Sequence, residues 1–155
     1  MAVKRILRLG NPVLRQRSSA VQEVDTAELH ALIADMFDTM DAANGAGLAA
    51  IQIGVPLRVM IFGFDANPRY PEVEAIPVTV LINPEVSVID DKRSGDWEGC
   101  LSVPGLRGYV ERPSGIRYCG TDQFGKSIER EVDPLLGRQS RPRSARRGCD
   151  RRRTR

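Results

Sequence analysis

Six apolar residues set the architecture that this chain can adopt. Leu29, Leu32, Ile33, Met36, Phe37 and Met40 fall at i, i+3, i+4, i+7, i+8 and i+11, the spacing of a helix that buries one face. Asp25 or Thr26 can cap its start, and Asn44-Gly45 can end it, because both residues tolerate the left-handed conformation. Strand-like runs follow at residues 57–64, 77–83 and 85–89, with Asn83-Pro84 bending the chain between the last two and residues 65–74 forming a polar loop. Residues 115–122 and 127–132 read as a hairpin across Gln123-Phe124-Gly125-Lys126. Ile116, Tyr118 and Gly120 alternate on one strand, and Ile128, Arg130 and Val132 on the other. Residues 3–24 mix short apolar groups with Arg, Gly and Pro, as an irregular lead-in wrapped over the core does. One amphipathic helix with several antiparallel strands predicts an α+β fold, not a doubly wound sheet.

Charge is divided along the chain. Residues 134–155 hold nine arginines and one acid, leaving 14 basic and 19 acidic residues before them. The basic pI is therefore a property of the tail, whose few apolar residues bury too little surface to offset ordering entropy. At 155 residues the chain is long enough for one domain with its own core, without staples. Cys100, Cys119 and Cys149 are widely spaced and odd in number, which argues against a disulfide framework and fits a reducing cytosol. The basic start has no apolar run long enough for a signal peptide, and no stretch approaches membrane-spanning length.

Two short stretches carry chemistry. Asp96-Trp97-Glu98-Gly99-Cys100-Leu101-Ser102-Val103-Pro104-Gly105 places a cysteine beside a glycine that lets backbone pass close, and Pro104 stops the segment running on as an interior strand. A thiolate serves as nucleophile or soft metal ligand, though a lone cysteine also packs as a small hydrophobe. Gly45-Ala46-Gly47-Leu48-Ala49-Ala50 formally satisfies G-x-G-x-x-A. It follows a helix and leads into strands, the reverse of a dinucleotide site, and small residues for tight helix-to-strand packing account for it better than a nucleotide does. His30, the sole histidine, lies beside the apolar stripe with no ligand type at i±3 or i±4 and reads as a boundary residue.

Together, G-x-G-L-A-A-x-Q and, some fifty residues later, E-G-C-L-S resemble the first two signature motifs of the peptide deformylases. These enzymes remove the formyl group from the N-terminal formyl-methionine of nascent proteins. The resemblance runs over residues 5–133 and takes in the Leu9-Gly10-Asn11-Pro12 lead-in. It implies antiparallel sheets packed around helices and a divalent metal, iron with zinc or nickel as substitutes, held by a cysteine and two histidines. Cys100 would be the metal ligand. Gln52 and the Leu101 N–H would stabilise the oxyanion, while Ala46, Gly47, Leu48 and Gly99 would bind the formyl-methionyl peptide as an added strand. Glu98 and Arg107 could form a supporting ion pair.

The family's third motif, H-E-x-x-H, needs two histidines on one helix after the last strand. This sequence has one histidine in all, so the expected central C-terminal helix is absent or replaced. Residues 1–133 then form an incomplete deformylase-like domain and residues 134–155 an arginine-rich, disordered tail. The abrupt change fits a slip of reading frame near codon 134. The implied function is a cytoplasmic hydrolase of N-formyl-methionyl peptides, with impaired or no activity as written. The alternative is a non-catalytic remnant that binds peptide through its groove, or the ribosome and other RNA nonspecifically through its tail.

Overall fold

The computed structural model describes residues 2–66 and 75–132. Most of the expected loop at 65–74 and the whole of the tail lie outside these residues. The helix predicted from the apolar stripe is α1, Ala27–Ala42, and Thr26 is its cap, accepting from the Leu29 N–H at 3.2 Å. Asp25, the other expected cap, takes a left-handed φ of 62°. At the far end Asn44 has φ 48° and the Gly45 N–H returns to the Met40 carbonyl at 2.8 Å. That is the ending Asn44-Gly45 predicts.

Five strands follow: β1 Gly47–Ala49, β2 Val59–Phe64, β3 Ile76–Cys100, β4 Val103–Thr121 and β5 Ser127–Val132. They form one antiparallel sheet in sequence order, so β1 and β5 are its edges. The fold is α+β as expected, with, among the described residues, a single sheet and a single α-helix. Leu48, Ile61 and Val80 stand side by side in register across β1, β2 and β3. With Val59 and Ile82 they meet Leu29, Ile33, Met36 and Met40 of α1 in one buried cluster. Met36 is fully buried, and each such side chain contributes about 1.5–3 kcal/mol.

Two strands expected at 77–83 and 85–89 are one. Asn83 adopts φ 52°, and the ladder to β4 shifts register between Ile82 and Glu85. The bend is thus absorbed as a bulge, where Pro84, lacking an N–H, costs the ladder nothing. The Asn83 amide holds the lead-in there, accepting from the Val21 N–H and donating to the Val21 carbonyl, each at 2.9 Å. Pro104 likewise lies inside β4. Pairing jumps from Gly99–Arg107 to Cys100–Val103, so residues 104–106 bulge out without partners on β3. The β4–β5 hairpin has the expected turn, in which the Asp122 carboxylate accepts from the N–H groups of Phe124 and Lys126.

Candidate active site

Gln52 and Cys100 are 48 residues apart in sequence and meet in space. Gln52 is the third residue of a 3₁₀ turn, Ala50–Ile53, that β1 feeds directly. Its side-chain oxygen reaches back to accept from the N–H of Ala49, which precedes the turn, at 2.9 Å. This is half of a capping box, and it closes the turn from within. Because a backbone N–H can only donate, the amide atom that faces it is the oxygen, and the amide nitrogen points the other way. That nitrogen donates to the Ser102 hydroxyl at 3.1 Å and lies 3.8 Å from the Cys100 sulfur.

Cys100 ends β3 and Val103 begins β4, so Leu101 and Ser102 make the tip of a long hairpin. The Cys100 thiol is free and exposed, whereas Ser102 is 5% exposed. Leu101 packs on the α1 core cluster, and a Cβ added to Gly45 would lie 2.9 Å from its Cδ1. The two motifs therefore approach closely enough at Gly45 that a side chain there would have to push the Leu101 tip aside. The lead-in joins both halves. The Leu7 N–H donates to the Gln52 carbonyl and the Leu9 N–H to the Ser102 carbonyl, each at 2.8 Å.

The remaining expected residues surround this pair. Gly47 and Leu48 are in β1, paired with Phe62 and Ile61, and the Ala46 carbonyl accepts from the Gly63 N–H at 3.1 Å. One side of β1 is thereby used, and its other side is a sheet edge among the described strands. Gly99 is exposed and pairs with Arg107. The Glu98–Arg107 ion pair that the sequence left open beside a solvated charge does not form. Arg107 stands across from Gly99, so it projects from the sheet face opposite to Glu98. Glu98 instead holds Arg112 through two bonds of 3.0 and 2.8 Å. Arg112 stands opposite Ser94, an even number of positions from Glu98 and so on its face. The guanidinium holds the Glu98 carboxyl below its ordinary value, and Glu98 raises Arg112 in return.

His30 does not join the site. Its Nε2 lies 2.7 Å from the Asp25 carboxylate and its ring 5.4 Å from that of Phe124, at the β4–β5 turn. A cluster of three or more His, Cys, Asp or Glu side chains is absent among the described residues. Beyond them the sequence offers Glu72, Glu74, Asp133, Cys149 and Asp150 and no further histidine. One thiolate beside an amide does not fit a catalytic divalent metal, which takes about three protein ligands. Sequence reasoning missed Ser102, although it stands inside the E-G-C-L-S motif; a hydroxyl two positions from the thiol was the available signal. The lead-in amides of Leu7 and Leu9 carry no signal, since every residue has an N–H.

The fold and the two motifs are those of an amide hydrolase family whose structures are solved. A peptide deformylase of class I type b from Acinetobacter baumannii, crystallised with Met-Ala-Ser, superposes with a TM-score of 0.82 at 30% identity, over 88% of this chain and 87% of that one. The chain belongs to the polypeptide deformylase family, whose sequence profile matches residues 3–140. Peptide deformylase 2 of Ralstonia nicotianae is 57% identical over 136 residues, covering 88% of this chain and 77% of that protein. Peptide deformylase 1 of Nitrosomonas europaea is 52% identical over 130 residues, covering 84% and 74%.

Proposed function

We propose that this chain keeps the amide and thiolate half of a deformylase site and hydrolyses N-formyl-methionyl peptides poorly or not at all. The observation that carries this reading is the approach of Gln52 Nε2 to Cys100 Sγ, 3.8 Å. A carboxamide donor fixed beside a soft ligand suits stabilisation of charge developing on a formyl oxygen. The β1 edge and the backbone around Gly99 support an extended peptide bound by strand addition, with the Leu101 N–H as a second oxyanion donor. The Met-Ala-Ser of the Acinetobacter relative supports a methionyl peptide as the ligand.

Hydrolysis in the family draws on a metal, iron or its substitutes zinc and nickel, and on H-E-x-x-H; this sequence holds one histidine, engaged with Asp25. Binding of peptide without turnover follows. A nucleic-acid role for the tail rests on its arginine content alone, and a cytoplasmic setting on the family. No described helix is long and apolar enough to cross a membrane. The test is formate release from N-formyl-Met-Ala-Ser by the purified chain supplied anaerobically with iron, zinc or nickel. We expect none above the background without protein; sustained multiple turnovers would overturn the reading.

A further inference from the structure

We propose that Ser102 is the positioning residue for Gln52. The Gln52 carboxamide has one oxygen and two N–H groups to place. The oxygen is held by the Ala49 N–H at 2.9 Å, which fixes the flip of the amide. One N–H is committed to the Ser102 hydroxyl at 3.1 Å, a full hydrogen bond to a buried serine in a part-buried setting. The other meets the Cys100 sulfur at 3.8 Å, near the limit for a sulfur acceptor. The two contacts are unequal, and the inequality has a consequence. A carbonyl oxygen arriving beside Cys100 displaces the weak N–H···S contact and leaves the N–H···O bond intact. Ser102 thus selects which N–H is offered to the ligand, and it does so without touching the ligand itself.

Ser102 is itself anchored. Its carbonyl accepts from the Leu9 N–H as the Gln52 carbonyl accepts from that of Leu7, so hydroxyl and amide are set against each other by one strap. The selection of an N–H deepens the reading that Gln52 faces the peptide and rests on it; the hold of Ser102 on the amide does not.

The experiment is proton–nitrogen NMR of the Gln52 side-chain amide in the whole chain, in Ser102→Ala and in Ser102→Thr, with and without N-formyl-Met-Ala-Ser. In the parent chain the two amide protons should be well separated in shift. Their exchange with solvent should be about fivefold slower than in Ser102→Ala, as loss of one hydrogen bond implies. Ser102→Thr, which restores a hydroxyl, should recover the slow exchange. A purely structural role for Ser102 would shift the urea midpoint without singling out this amide. If Gln52 in the parent chain exchanges as fast as the exposed Gln16 and Gln22, the proposal fails without recourse to any variant. It fails also if Ser102→Ala leaves the amide unchanged. If added peptide moves no Gln52 signal while Ser102→Ala still frees the amide, the positioning role stands and the substrate-facing reading falls.

Discussion

At the scale of single residues, the site depends on donors that have one possible direction. The Ala49 N–H fixes the Gln52 oxygen, and everything the amide nitrogen does follows from that. Glu98 and Arg112 stiffen the hairpin that ends in Cys100, but their side chains are 38% and 49% exposed, so solvent screens them and the pair is worth about 0.2–1 kcal/mol. The Glu98 carboxyl titrates below its ordinary value because Arg112 bonds its charged form. A group with a depressed folded-state value stabilises the protein above its unfolded value and loses that contribution as pH falls through the folded one. Arg112→Gln should therefore lower the urea midpoint modestly at neutral pH. The difference from the parent chain should shrink as pH falls through the ordinary glutamate range and vanish only below the lowered Glu98 value. A difference that grows on acidification would assign the effect to something other than this pair.

At the scale of elements, bulges and close approaches decide what the sheet can tolerate. Gly63 has φ 119°, and a Cβ placed there would lie 2.6 Å from both the Pro77 carbonyl oxygen and the Val78 Cα, all backbone of β3. The β2–β3 ladder shifts register at this point, between Phe62 and Phe64. Gly45 is also tight, but its nearest neighbours are the Leu101 and Met40 side chains, which can turn aside. Gly63→Ala should cost about 3 kcal/mol or more, from backbone strain and overpacking together. Gly45→Ala should cost about 1–2 kcal/mol. Urea unfolding of the two variants with equal m-values separates them; equal losses would contradict the backbone clash at Gly63. The lead-in belongs to this scale too. An irregular segment without strand or helix of its own, apart from the turn Pro12–Arg15, ties the carbonyls of Gln52 and Ser102 to the N–H groups of Leu7 and Leu9 on one strap.

At the scale of the molecule, periodicity made the single helix and the β4–β5 hairpin legible, because in both the apolar spacing matches the element's period. The extent of β3 was hidden, since Asn83-Pro84 looks like a break between two strands and the polar residues from Asp90 on look like the end of the second. They are a bulge and an exposed arm, and an arm that pairs only with its own hairpin partner has no buried face to leave an apolar pattern. Two glycine-bearing motifs identified which side chains meet, Gln52 and Cys100, but not the hydroxyl between them. Ser102 needed coordinates because its role depends on the Gln52 amide lying within 3.1 Å. Among the described residues, the family fold carries one cysteine beside one carboxamide as its donor set. Metal content of the purified chain, measured per mole of protein after growth with iron, zinc and nickel available, tests this most directly. The account predicts far less than one equivalent of any of them, unchanged in Cys100→Ser; one equivalent that is lost in Cys100→Ser would contradict it.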